Sequence, residues 1–221
     1  MRSYFDDELD ILNNELIKMG SLVENSIQGA VNSLLSKDRE LAKNIIEQDD
    51  QIDALEKSIE NRCMQLLLRQ HPVAGDLRLI SSILKMITDL ERIGDQAEDI
   101  AEISLLLADE KLIKELTHIP QMGEATIKML NNSIDAFVNR NKELAYEVIA
   151  FDDVVDDLFD TIKDELIELI NKDINTGEQA INLIMIAKYL ERIGDHAQNV
   201  AEWVLYAIIG DHRKIKEYRG D

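Results

Sequence analysis

The hydrophobic residues of this chain recur at the spacing of long amphipathic helices. Between residues 45 and 66 apolar side chains stand seven positions apart, and between residues 80 and 101 they alternate by three and four. This period is typical of helices that pack in bundles and differs from the strict alternation of a strand. Only 9 glycines and 2 prolines interrupt the chain. Most of it is therefore predicted to form long helices.

Polar residues and helix breakers divide the pattern into six helices with short connections between them. Short connections imply antiparallel neighbours, as in a helical bundle. The predicted breaks are 37–39, Pro72 with Gly75, 117–120, Asn141 and 175–177.

The sequence contains an internal repeat. Residues 89–102 read DLERIGDQAEDIAE and residues 189–202 read YLERIGDHAQNVAE, so nine of the fourteen positions are identical. Matches upstream of this motif share an offset of 103 residues instead of 100. We therefore predict an all-α fold of two tandem three-helix bundles, the first in residues 1–110 and the second in residues 111–221.

The acidic composition narrows the range of partners. The chain has 44 Asp and Glu against 24 Lys and Arg, a formal charge of −20. Such a polyanion is a poor ligand for nucleic acid or an anionic membrane. No apolar run approaches the length of a membrane span, so no direct membrane insertion is predicted. The single cysteine, Cys63, and an acidic segment at residues 1–8 favour a cytoplasmic protein.

Within the repeat, acidic residues occur as pairs spaced by four. When Ile45, Ile52 and Ile59 are taken as heptad position a, the first pair falls at positions e and b, and the other pairs fall at the same positions of their own helices. All eight acids are thus predicted on one flank of the apolar seam. They are Asp49 and Asp53, Glu91 and Asp95, Asp152 and Asp156, and Glu191 and Asp195.

Two interpretations of these pairs remain open from the spacing. Acidic runs are commonly solvated faces, and Arg92 and Arg192 lie beside the pairs and can neutralise them. Oxygen ligands in matching register also suit a hard cation such as Mg²⁺, Mn²⁺, Ca²⁺ or oxidised iron. We favour a metal site in each bundle.

The two copies differ around these acids. The first copy continues the stripe with acids where the second copy has Phe159, Lys163 and Gln198, so we expect its site to hold metal more tightly. Gly94 and Gly194 sit inside predicted helices at a cost of about 1 kcal/mol each relative to alanine. Close approach of two helices beside the acids is the simplest reason. The acids that continue the stripe of the first copy are Glu56, Glu60, Glu98 and Glu102, and only the last has an acidic counterpart in the second copy, Glu202.

The repeated LERIGD motif, the repeated DxxxD pairs and the segment HPVAGDLR resemble the PhoU family of phosphate-transport accessory proteins. The resemblance covers residues 4–210. It implies a non-enzymatic adaptor that associates with the ATPase subunit of the phosphate ABC transporter and with a phosphate sensor histidine kinase, and that represses phosphate-starvation genes when phosphate is plentiful. It also implies a cytoplasmic location, peripheral to the inner membrane, and we expect a homodimer.

The resemblance further implies metal clusters on D/ExxxD motifs, which by position are the four pairs given above. The metal is expected to be iron or another hard cation such as Mg²⁺ or Mn²⁺, with zinc as a further candidate. The sequence departs from the family pattern at His71, and at Asn199 where the first copy has Asp99. The second departure puts a further ligand from that turn of the second copy in doubt.

Other functions have less support in the sequence. A ferritin-like oxidase or iron-storage bundle needs Glu-x-x-His on two helices, and only Glu115–His118 matches. No glycine-rich phosphate loop follows a strand. His196 is predicted to lie at the surface, and a short basic tail ends the chain from residue 212. Predicted core residues are Cys63, Met19, Met64, Met86, Met122 and Met185.

Overall fold

The computed structural model describes residues 2–70 and 73–211, with side chains described for residues 7–68 and 73–211. It consists of six long α-helices and one short 3-10 turn, and the described residues contain no strand. The predicted all-α class is confirmed. The helices are α1 (Arg2–Ser36), α2 (Arg39–Gln70), α3 (Ala74–Leu107), α4 (His118–Val138), α5 (Lys142–Lys172) and α6 (Gly177–Ile209), with the 3-10 turn at Ile174–Thr176.

The helices pack as two three-helix bundles that share a central contact. In the first bundle α1, α2 and α3 pack on one another, and in the second α4, α5 and α6 do the same. The bundles meet through α3 against α6, with a smaller contact of α1 against α4. The exact boundary between residues 110 and 111 stays a prediction, although α3 ends before it and α4 begins after it.

Most of the predicted breaks fall between helices. Lys37 has φ 58°, in the left-handed region, and ends the run of α1. Asn141 caps α5 because its side-chain oxygen accepts a hydrogen bond from the backbone N–H of Leu144 at 3.1 Å. Gly75 was expected in a loop but lies in the first turn of α3. Pro72, predicted to help break the chain there, and the basic tail lie outside the described residues.

The core follows the predicted heptad seam, with two exceptions. Ile52 and Ile59 are fully buried, and Cys63 is buried as well, which raises the pKa of its thiol to about 12. Met64 and Met185, however, are 48% and 37% exposed, so their placement in the core was wrong. Both stand at heptad position f of their helices, which faces away from the seam. Met19, Met86 and Met122 are buried as predicted.

The connection between the bundles is anchored to the second one through Gln179 of α6. The side-chain oxygen of Gln179 accepts from the backbone N–H of Ile113 at 2.6 Å, and its amide donates to Glu110 at 2.8 Å and to the carbonyl of Lys111 at 3.2 Å. Gln179 itself is buried. These three hydrogen bonds hold residues 110–113, which connect the repeats, against the start of α6. No helix in the described residues has an apolar stretch long enough to cross a membrane.

Candidate carboxylate site

The eight predicted site residues lie on four helices, in two groups of four. Asp49 and Asp53 of α2 stand opposite the LERIGD segment of α3, and the second repeat sets α5 against α6 in the same way. A β-carbon at Gly94 would lie 3.0 Å from Oδ1 of Asp49. One at Gly194 would lie 3.2 Å from Oδ1 of Asp152. The glycine in each motif therefore permits the close approach that the sequence predicted.

The acids of the first repeat act on one another through a shared electrostatic field. The pKa of Asp49 is raised to about 7, first by burial and then by the neighbouring acids in the order Glu98, Asp95, Asp53 and Glu91. The pKa values of Glu91 and Glu98 are also raised, first by burial and then by nearby carboxylates. Acids from α2 and α3 are thus close enough to oppose one another's ionisation.

Basic side chains already partner several of these acids. Nζ of Lys57 donates to Oδ2 of Asp53 at 2.8 Å. Arg92 donates to Asp95 at 3.0 Å and lies 3.4 Å from Glu91. Neutralisation of the acid pairs by a neighbouring arginine, one of the two interpretations of the sequence, is therefore observed at Arg92. The role of Lys57 was not predicted, although its spacing of four residues from Asp53 could have shown it.

The second repeat has fewer acids along this flank, and different side chains neutralise or contact them. Asp152 is only 8% exposed, and its Oδ2 accepts a hydrogen bond from the side-chain amide of Gln198 at 2.9 Å. Lys188 donates to Glu191 at 2.6 Å. The pKa of Asp195 is raised by burial and then by Glu191. Gln198 takes the place of Glu98, so an amide that donates replaces a repelling carboxylate.

The pKa of Asp156 is raised for the same reasons as that of Asp195, first by burial and then by Glu191. Glu191, Asp156 and Asp195 therefore act on one another, and Asp152 lies beside Gly194 of the same helix pair. Across the part of the chain that the structure describes, however, no three His, Cys, Asp or Glu side chains converge as ligands of a single ion. The structure gathers the predicted residues into two acidic regions without arranging them as a finished coordination shell.

One contact between the two bundles was not predicted from the sequence. Nδ1 of His196 on α6 lies 2.9 Å from Oδ1 of Asp89 on α3, and the amide of Asn199 donates to the same oxygen at 3.2 Å. Tyr189 and Asp99, which stand at the matching positions of the two repeats, also lie close enough to shift each other's pKa. The expectation that His196 is a surface residue was therefore wrong, because its side chain is 25% exposed and bridges the two repeats.

Comparisons with known proteins agree with this architecture. The model of the PhoU domain matches residues 16–104 and again residues 119–204, one match in each repeat. A phosphate-specific transport system accessory protein PhoU homolog of Clostridium acetobutylicum is 41% identical over 95% of this chain and 96% of its own length. The accessory protein PhoU of Escherichia coli is 31% identical over 93% of this chain and 86% of its own length.

Solved structures give the same result. The crystal structure of PhoU from Pseudomonas aeruginosa has a TM-score of 0.90 and 38% identity, and it covers 94% of this chain and 100% of the solved one. That of the phosphate transport system regulatory protein PhoU from Streptococcus pneumoniae has a TM-score of 0.86 and 31% identity, with 94% and 98% covered. Because the repeat, the motifs, the fold and the matches in both repeats coincide, the chain belongs to the PhoU family.

Proposed function

We propose that this chain regulates phosphate uptake and phosphate-starvation signalling as an accessory protein of a phosphate transport system. The observation that carries the proposal is similarity over nearly the whole length to proteins named as accessory or regulatory proteins of such systems. The identity of 41% with one of them extends over 95% of this chain, so both repeats take part. The proposal therefore applies to the whole molecule.

The finer part of the proposal is an adaptor without enzymatic activity. In this role the chain binds the ATPase subunit of the phosphate ABC transporter and a phosphate sensor histidine kinase from the cytoplasmic side, as a homodimer. The acidic surface supports protein partners over nucleic acid or anionic lipid, because a net charge of −20 repels phosphate-rich polymers. The names of the relatives, accessory and regulatory protein, support a role in control instead of turnover.

We also propose that the two acidic regions bind hard cations, with Asp49, Asp53, Glu91 and Asp95 as the tighter set. The donor chemistry fits, since all the oxygens are carboxylates. Burial and then repulsion by neighbouring acids raise the pKa of Asp49, and a bound cation would favour its charged form against both. Iron, Mg²⁺, Mn²⁺ and zinc are the candidates. When bound, the ion supplies positive charge between α2 and α3 and competes with Lys57 and Arg92 for the same oxygens.

The adaptor and metal proposals are tested together in cells that lack their own PhoU-family protein and carry a reporter for phosphate-starvation genes. Wild-type chain is expected to restore repression in phosphate-rich medium. A chain with Glu91→Gln and Asp95→Asn is expected to lose bound metal and part of that repression. Arg39→Gln, far from the acids on a surface ion pair, is the matched control and retains both.

Two results would redirect this proposal. Unrestored repression with a folded, expressed chain contradicts the adaptor role. If repression is complete after the metal is lost, the ions have only a structural role. A ferritin-like storage or oxidase function predicts oxygen consumption when ferrous iron is added to the pure protein. No observation favours that alternative, because the relatives are named for phosphate transport and Glu115–His118 stands at the bundle connection.

A further inference from the structure

Two arginines differ from the others in having no acidic partner. Arg78 and Arg140 form no ion pair and no side-chain hydrogen bond within the described residues, in a chain with 44 acids. The other arginines whose side chains are described lie beside acids. These pairs are Arg39 with Asp109, Arg62 with Glu8 and Glu15, Arg92 with Asp95, and Arg192 near Asp99.

The two unpaired arginines line the same cavity. It has a volume of about 270 Å³ and lies among the first turn of α3, the end of α4 and the end of α6. Nε of Arg78 is buried and has no hydrogen-bond acceptor among the described residues. Phe137 and Val204 form apolar walls, and Asp76 is the acid that lines the cavity. Its charge therefore offsets one arginine and leaves an excess of one positive charge.

In the first repeat, the residue that corresponds to Arg140 contacts the backbone of the same chain. Lys37 occupies the position equivalent to Arg140, and both have left-handed φ values, 58° and 49°, at the end of a helix. Nζ of Lys37 donates to the carbonyl of Glu110, in the connection that follows α3. The described residues after α6 supply no such acceptor to Arg140. At the cavity of the second repeat, Arg140 therefore lacks the hydrogen-bond acceptor that its counterpart Lys37 has.

We propose that this Arg78–Arg140 cavity binds a small oxyanion of the phosphate type. Guanidinium groups match phosphoryl oxygens with paired N–H donors, and a phosphate carries between one and two negative charges near neutral pH. The N-terminal end of α3, at Gly75, adds the positive end of a helix dipole on the same side. The site has no sequence motif, because its residues come from three helices and from the connection after α4. It is separate from the carboxylate regions.

Phosphate binding is measured by calorimetry on the full-length chain. The buffer is treated with a chelator, so that no metal ion on the carboxylates can bind the phosphate instead. Inorganic phosphate is expected to bind saturably, and the affinity falls with added salt. Arg140→Gln is expected to weaken phosphate binding about tenfold or more, because a charge-assisted contact is lost. Asp76→Asn is expected to tighten it, since a repelling charge is removed. Arg39→Gln is the control and leaves the affinity unchanged.

The result does not depend on the transporter or on the role proposed above. A nucleoside monophosphate that binds more tightly than inorganic phosphate supports the site and identifies an organic phosphate as its ligand, whereas equal affinities support free phosphate. Arg140 is exposed, so its variant tests the site even where Arg78→Gln fails to fold. Absence of saturable phosphate binding, or equal losses in Arg140→Gln and Arg39→Gln, overturns the proposal.

Discussion

A β-carbon on Gly94 would lie 3.0 Å from Oδ1 of Asp49, so the glycine of α3 sets how closely the acid of α2 can approach. The same β-carbon would also lie 3.0 Å from Ile52, which is fully buried. A side chain here would therefore push on the core and on the acidic region at once. The second repeat keeps this relationship between Gly194 and Asp152.

Gly94→Ala is expected to lower the free energy of unfolding by about 1 kcal/mol, because overpacking costs typically 1–3 kcal/mol while the higher helix propensity of alanine offsets about 1 kcal/mol. Urea unfolding measures the change. Gly177 is the matched control, since it is also helical and has nothing within 4 Å of an added β-carbon. Gly177→Ala is expected to stabilise by about 0.4–1 kcal/mol. Equal gains in both variants would show that the contact at Gly94 is not tight.

Asp89→Ala is expected to lower the free energy of unfolding by about 1–3 kcal/mol, because His196 and Asn199 lose the carboxylate that accepts from them. Thermal or urea unfolding gives the value, and a double-mutant cycle with Asn199→Ala isolates the coupling. Substitution of the exposed Asp10 by alanine is the control. No coupling in the cycle would mean that the cross-bundle contact does not form in solution.

Gln179→Leu is expected to destabilise the chain by about 1–3 kcal/mol, because the backbone N–H of Ile113 is left without its acceptor. Hydrogen exchange of residues 110–113 should also become faster, since these residues lose their anchor on α6. The exposed Gln121 provides the control, and its replacement by leucine leaves both quantities unchanged. Unchanged exchange at residue 113 in Gln179→Leu counts against an anchored connection.

Metal-free protein is expected to become more stable as the pH falls from 8 towards 5. The folded-state pKa of Asp49 is raised from 3.8 to about 7, so the folded chain binds this proton more tightly than the unfolded chain does. Stability from this group is full below the unfolded pKa and is lost as the pH rises through about 7. Urea unfolding across this range measures the effect.

Asp49→Asn is the test variant, and its stability is expected to change less with pH over the same range. The exposed Glu47 on the same helix is the control, and Glu47→Gln keeps the wild-type profile. A wild-type stability that rises steadily towards pH 8 has the opposite sign and would contradict the burial of Asp49 among acids.

The fold was predictable because its evidence is local and periodic. Helix length follows from the heptad pattern and from the shortage of breakers, and the flank that carries Asp49 and Glu91 follows from their heptad positions e and b. The same register, applied strictly, places Met64 and Met185 at position f. Their assignment to the core rested on residue type alone, and for that reason it failed.

The contact between Asp89 and His196 could not be found in this way. Both residues stand at heptad position c, which faces solvent in an isolated bundle, and only the packing of α3 against α6 buries them together. The cavity at Arg78 and Arg140 has the same origin, since α3, α4 and α6 must be placed before the two side chains line one cavity. Contacts between the repeats therefore required the structure, whereas the helix flank that carries the acids did not.

Retention of the phosphate transporter's ATPase subunit on the immobilised chain tests the central claim most directly. The account predicts a saturable complex that depends on phosphate supply. An unrelated acidic helical protein, immobilised in place of this chain, is the control and is expected to retain no ATPase subunit. The sensor histidine kinase, tested in the same way, is expected to bind as well. Failure to retain either partner, with folded protein on both sides, would contradict a role as an adaptor in phosphate signalling.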